Sequence, residues 1–285
     1  FADLIADPDY DPEHPSAPIY VEAEEPEDSD YFEEESHDKQ PEPARFKAEV
    51  KGRSTEGAPP RFDIDELKPW EVMFGDEKEY QVTQRGGIKR CYLILELKSD
   101  GWFVRNEVSK TEHGESFRSI MVENGVHLLP YPRTIYTDGC GSNKYVKEEA
   151  IEMGIHHVLI PPHDASLNQA ERVVDRAFAA ARVHRVSCSY APELECYAVG
   201  HVCYMKLRCA TTVTRHFITP YEILKGEKPS IRHCQPFYTK AYVHVPKSKR
   251  AWMQKNGKGH LRAEEGRLLG YHDMYSTTAK VLLDG

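Results

Sequence analysis

The chain has no cysteine pair at C-x-x-C spacing and no apolar run of membrane-spanning length, and it does not open on a basic-then-apolar leader. Each absence removes something. Seven cysteines, an odd number without close pairs, argue for a reducing compartment and mostly structural thiols. Without a run near the length of a bilayer crossing, no membrane partner is expected, and the acidic N-terminus is not a signal peptide. Glycine is present, but Asp138-Gly139-Cys140-Gly141-Ser142 lacks the spacing of a P-loop or a dinucleotide fingerprint. Those glycines read instead as turning the chain sharply off a strand. From Lys228 to Ala263 the missing component is acid: nine Lys and Arg stand there without one Asp or Glu.

The formal charge of −9 conceals this asymmetry. Residues 1–60 hold 18 Asp and Glu against 5 Lys and Arg, a balance of −13; set against −9 for all 285 residues, this leaves +4 for residues 61–285. An acidic, proline-bearing segment with few apolar residues cannot bury enough surface to offset chain entropy. Residues 1–60 are therefore expected to be a disordered tail or linker, most simply a solvated spacer. The first residue, Phe1, and the last three, Leu283-Asp284-Gly285, suit a piece of a longer polyprotein or a broken open reading frame.

Between these extremes the periodicity defines elements. Trp70 to Val82 predicts a strand, and Cys91 to Leu97 with Trp102 to Val108 a hairpin about Ser99-Asp100-Gly101, whose glycine suits a tight turn. Phe117, Ile120 and Met121 repeat at helical spacing before Gly125. Thr134 to Thr137 predicts a fourth strand, Lys144 to Met153 a helix ending at Gly154, and His157 to Ile160 a fifth strand halted by Pro161-Pro162. From Asn168 a helix follows with Ala170, Val173, Val174, Ala177, Phe178 and Ala181 on one face, and Glu193 to Cys209 reads as another. The order β-β-β-α-β-α-β-α is that of the ribonuclease H-like fold: a mixed five-stranded α/β sheet with helices, over residues 61–225. Residues 226–285 predict a small basic β-rich domain, barrel-like, from Tyr242-Val243-His244-Val245 and Arg267 to Tyr271.

Three carboxylates fall at the ends of separate elements: Asp76, Asp138 and Glu171. In this element order the first and fourth strands can lie side by side, bringing Asp76 beside Asp138, and the helix after the fifth strand can present Glu171 across from them. Such a set suits two-metal phosphodiester chemistry, because Mg²⁺ wants several oxygen ligands held by rigid elements. The plainer alternative is three unrelated surface acids. Other candidates carry less. Cys140 with His163 could pair as thiol and base, but core packing is the simpler role. His156-His157 has no third ligand at metal spacing and reads as structural. Cys188, Cys196, Cys203 and Cys209 read as ordinary thiols of a helical region. The window from Lys228 to Ala263 interleaves Tyr238, Tyr242 and Trp252 with its bases, which suits contact with DNA phosphates rather than base reading.

Five motifs, in order, resemble the integrase of copia-type retrotransposons: Tyr136-Thr137-Asp138-Gly139-Cys140-Gly141-Ser142; Leu167-Asn168-Gln169-Ala170-Glu171-Arg172; Thr219-Pro220-Tyr221-Glu222-Ile223-Leu224 with Lys228-Pro229; Tyr242-Val243-His244-Val245-Pro246; and Leu269-Gly270-Tyr271. The resemblance spans Phe62 to Gly285. It implies a polynucleotidyl transferase of the Asp-Asp-Glu type that trims the ends of a linear DNA and joins their 3′ hydroxyls to target DNA. Asp76, Asp138 and Glu171 would be catalytic and hold two Mg²⁺ or Mn²⁺ ions about 4 Å apart. Asn168, Arg172, Lys240, Lys247, Lys249, Arg250, Lys255 and Lys258 would contact DNA. A homo-oligomer working in the nucleus is implied as well. The chain departs from the pattern in three places. Only 32 residues separate Asp138 from Glu171, a little short of the family's gap; Asp76 precedes Glu77-Lys78-Glu79 rather than Gly-Pro; and the His and Cys pairs of a zinc domain are not evident. Two other readings stay open: a catalytically dead or domesticated copy that only binds DNA, and a ribonuclease H-like nuclease that cuts without joining.

Overall fold

The computed structural model describes residues 62–161, 168–210, 217–247 and 262–283. The acidic segment 1–60 lies outside this range. Strand β1 (Val72–Glu79) is central to a five-stranded sheet of order β3-β2-β1-β4-β5. It pairs antiparallel with β2 (Arg90–Glu96), which pairs antiparallel with β3 (Gly101–Glu107). On its other side β1 runs parallel to β4 (Thr134–Thr137), and β4 runs parallel to β5 (His156–Leu159). Helices α1 (His113–Glu123), α2 (Asn143–Glu152) and α3 (Gln169–Cys188) enter in the order expected from the sequence, giving the ribonuclease H-like fold. Helix α4 (Glu195–Arg208) extends it.

The sheet is covered on both faces, which is why β1 and β2 read as near-continuous apolar runs rather than alternating ones. Val72, Phe74 and Tyr80 enter one core with Ala170, Val173, Val174, Ala177 and Phe178 of α3 and Val199 and Cys203 of α4. Met73 points the other way, into a second core with Phe117, Ile120 and Met121 of α1 and Val146 and Ala150 of α2. This period of two along β1 decides where its polar residues point. Gly75 sits between the cores at a point of close approach: a Cβ there would lie 2.2 Å from Tyr92 Oη.

The β2–β3 hairpin turns as predicted, but by a different residue. Asp100 takes the left-handed conformation (φ 58°). Gly101 is needed instead for space, since a Cβ would come within 2.9 Å of Ser99 Oγ and 3.1 Å of Phe103. Buried Glu96 holds the turn together by accepting from the backbone amides of Trp70 (2.8 Å), Lys98 (3.1 Å) and Ser99 (2.7 Å) and from the Ser99 hydroxyl. Burial raises its pKa against the pull of those donors.

Residues 219–222 form a helix N-cap. Thr219 caps helix α5 (Pro220–Lys225), its hydroxyl accepting from the Glu222 amide at 3.1 Å, with Pro220 in the first turn and Gly226 left-handed after the end. Beyond it, β6 (Lys240–His244), β7 (Ala263–Tyr271) and β8 (Ala279–Leu283) form an antiparallel sheet of order β6-β7-β8. Among the described residues this is an open three-stranded sheet rather than the barrel expected. Phe237 and Leu269 join the core of α3 and α4, so the sheet is packed against the first body and not set apart from it. No helix of the described residues is long and apolar enough to cross a membrane.

Candidate active site

Because β1 and β4 are parallel neighbours with Gly75 opposite Thr137, Asp76 and Asp138 follow neighbouring positions, but only Asp138 stands past a strand end; Asp76 lies within β1, paired with Leu93 of β2, and not at its end as expected. Helix α3 starts nearby. Asn168 is buried and caps it, its Oδ1 accepting from the Ala170 amide at 3.1 Å, which puts Glu171 in the first turn. There the helix dipole favours a negative charge. Asp76, Asp138, Asn168 and Glu171 all line one cavity of about 510 Å³. Glu171 and Arg172 are exposed on α3. Asp63 and Asp65, the other acids near the start of β1, stand in a turn and do not line it.

The electrostatics of this cavity are unsettled. Burial raises the Asp76 carboxyl to about 7, and the neighbouring charges of Asp138, Glu171 and Glu77 push in the same direction against one backbone hydrogen bond from Glu77. Asp138 is fixed by its own loop. Its Oδ1 accepts from Asn143 Nδ2 at 2.6 Å and from the Cys140 amide at 3.1 Å. Sequence reasoning passed over Asn143; its place as first residue of α2, five after the aspartate, was the available signal.

An all-oxygen donor set with a carboxyl made reluctant to ionise suits a hard divalent cation, which would relieve the repulsion. The set stands open: among the described residues no three His, Cys, Asp or Glu side chains close up into a ready metal group. The donor chemistry therefore fits Mg²⁺ or Mn²⁺ while the ligand shell is not drawn together.

The three residues after Asp76, which break the family-like pattern, each have a partner. Glu77 borders the same cavity but turns its carboxylate toward α1, where its Oε2 lies 2.7 Å from His113 Nε2 and its Oε1 accepts from Cys140 Sγ at 3.0 Å. His113 is fully buried, and its Nδ1 lies 2.5 Å from buried Glu107 Oε2. These ring contacts are ion pairs at close range without in-line hydrogen-bond geometry. Burial alone would lower the His113 pKa, but Glu107 and Glu77 overcome it and raise it to about 9. Glu77 shows the mirror effect: burial opposes its charge, yet His113, Cys140 and Lys110 bring it down to about 2. Lys78 Nζ meets Asp175 of α3 at 2.5 Å, and Glu79 meets Arg90 at 2.9 Å. None of these partners was visible in the sequence.

The remaining expected sites divide. Lys249, Arg250, Lys255, Lys258, Trp252 and His163 lie outside the described residues. Lys247 is exposed. Lys240 is exposed too but paired with Glu265 across the sheet at 2.9 Å, because β7 brings Glu264 and Glu265 back against β6. The acid-free window thus has acids facing one edge of it. His157 Nε2 lies 2.9 Å from Thr137 Oγ1, and all seven cysteines are free.

No protein-family model matches the chain, and no curated protein matches it either. Solved structures do. A chain of the simian T-cell lymphotropic virus intasome bound to a PP2A regulatory subunit superposes with a TM-score of 0.47 at 13% identity, covering 80% of this chain and 79% of that one. The HTLV-2 integrase catalytic core domain in complex with magnesium superposes in its trimeric form (TM-score 0.41, 18% identity) over 55% of this chain and 97% of that one. Its dimeric form gives 0.41 and 16% over 55% and 98%. Strand order and connections, not these distant likenesses, define the fold.

Proposed function

We propose that this chain is an integrase of the Asp-Asp-Glu type, of the copia-like retrotransposon class that its five motifs resemble. It would process the 3′ ends of a linear DNA and join them to target DNA. The observation that carries this reading is the convergence of Asp76, Asp138 and Glu171, from three separate elements, on one cavity. Asp76 offers oxygens from within β1, Asp138 from just past the end of the parallel strand β4, and Glu171 from the first turn of α3. When bound there, two Mg²⁺ or Mn²⁺ ions supply activation of the attacking hydroxyl and stabilisation of the leaving oxygen. The chain's own part is to hold these acids on rigid elements. Asn143 and the Cys140 amide orient the Asp138 carboxylate, and Asn168 starts the helix that presents Glu171. Arg172 on the exposed face of α3, together with Lys247, would take DNA phosphates and add affinity that falls with salt. DNA is the partner, a homo-oligomer the working form, since joining two ends at once needs several protomers, and the nucleus the place of action.

The test is a strand-transfer assay with Mg²⁺ on a short labelled duplex. Joined products, lost in Asp138→Asn and Glu171→Gln while DNA binding remains, are expected. Cleavage without joining would replace this reading with a nuclease. Binding with neither reaction would indicate a DNA-binding remnant.

A further inference from the structure

Lys78 is the one cation among the described residues that line the acidic cavity, and it reaches across to α3 rather than into solvent. Its Nζ lies 2.5 Å from Asp175 Oδ1 and 5.0 Å from the centre of the Phe178 ring, so it touches α3 at two positions three residues apart. Phe178 is itself anchored, 4% exposed and packed 5.3 Å from the ring of Tyr80.

Spacing gives this contact its meaning. Residues two apart on a strand share a face, so Asp76 and Lys78 both look toward α3. Residues four apart on a helix share a face, so Glu171 and Asp175 stand one above the other. Strand and helix are therefore joined by two rungs. On the first rung Asp76 and Glu171 border one cavity, and their like charges oppose each other. The Lys78–Asp175 rung attracts. We propose that the Lys78–Asp175 pair is a clamp that holds the first turn of α3 against the end of β1 and so keeps Glu171 facing Asp76. Lys78 and Asp175 are then positioning residues for the cavity's acids. That role rests on the cavity being the reaction site, although the clamp itself operates in the metal-free protein.

An ion pair with side chains 34% and 65% exposed contributes little to overall stability, so removing it leaves the fold intact and isolates the local effect. Hydrogen exchange at the amides of Glu171 to Asp175 in the metal-free protein is the first readout. Lys78→Met and Asp175→Asn should each speed exchange there up to about five-fold. The double variant should show no more than either single change, because the two residues act as one unit, and Lys78→Arg should exchange as the unaltered protein does. The second readout is Mn²⁺ binding by calorimetry, where each single variant should raise the half-saturating concentration about ten-fold. Unchanged exchange in both single variants, or effects that add in the double, would overturn the clamp. If exchange responds as expected but the unaltered protein binds no Mn²⁺, the clamp stands and the metal-dependent function fails.

Discussion

Asp76 and Glu77 are adjacent carboxylates on one strand, and they live in opposite electrical worlds. Glu77 faces α1, where His113, Lys110 and Arg90 neutralise it and draw its pKa to about 2. Asp76 faces α3, where burial and other acids push its pKa to about 7. A buried charge that is fully matched belongs to the architecture. A half-buried charge whose neighbours share its sign is held at a cost, and such a cost persists where chemistry needs it. The difference tells two carboxylates apart where the sequence shows only Asp-Glu.

The largest effect that would break this contrast is catalytic. Asp138→Asn or Glu171→Gln keeps shape but removes a negative charge, and should lower single-turnover strand joining about a thousand-fold or more. A variant retaining a tenth of the rate would remove that residue from the reaction.

Next is the matched side. His113→Ala removes the imidazolium between Glu77 and Glu107, leaving buried Glu107 without it, and should destabilise the fold by about 3–5 kcal/mol in urea unfolding. The pH dependence has a definite sign. The His113 pKa is raised from 6.5 to about 9, so its contribution is full below 6.5 and disappears as pH rises through 9. Glu77 is lowered from 4.5 to about 2, so its contribution is full above 4.5 and disappears as pH falls through 2. A loss on His113→Ala that is as great at pH 10 as at pH 6 would contradict the pairing.

Asp76 should behave in the reverse sense. Its folded pKa lies above the ordinary 3.8, so the metal-free protein loses stability as pH rises from 3.8 to 7 and carries the full penalty above 7. Asp76→Asn should therefore stabilise the metal-free protein at pH 8 by about 2–4 kcal/mol and leave it unchanged at pH 3. Equal melting temperatures for the two proteins at pH 8 would show that Asp76 carries no strain.

The smallest effect distinguishes two lysines. Lys247→Ala should reduce the log–log salt slope of DNA binding by about one unit, whereas Lys240→Ala, whose charge Glu265 already meets, should reduce it less. The reverse order would place the DNA on the β6–β7 face.

Much of this was legible in the chain. The strand Thr134–Thr137 and the apolar stripe of α3 follow from simple periodicity. Asp138 and Glu171 stand at element ends, where carboxylates from distant segments can meet, whereas Asp76, expected at a strand end too, lies within β1, which runs on to Glu79. What stayed hidden depends on pairing between distant residues. His113, a lone histidine between Glu112 and Gly114, gives no sign that it will be sealed between two acids. Glu96 looks like any strand-end acid, yet it organises a hairpin. The Thr-Pro-Tyr-Glu segment was read as a resemblance and not as the helix N-cap it forms. The basic window ended one residue short of Glu264 and Glu265, the acids that fold back over it. Asn168 was assigned to DNA, but its carbonyl oxygen is already used in starting a helix.

One earlier detail reaches further than packing. A strand slipped by a single residue turns every side chain to the other face. Such a slip of β1 would send Asp76 into the socket of His113 and aim Glu77 at α3. Gly75 opposes it: a first side-chain carbon there would meet the Tyr92 hydroxyl at 2.2 Å. A tooth on β2 thus meets a notch on β1. That fit helps to index which of two adjacent acids, Asp76 or Glu77, looks toward α3.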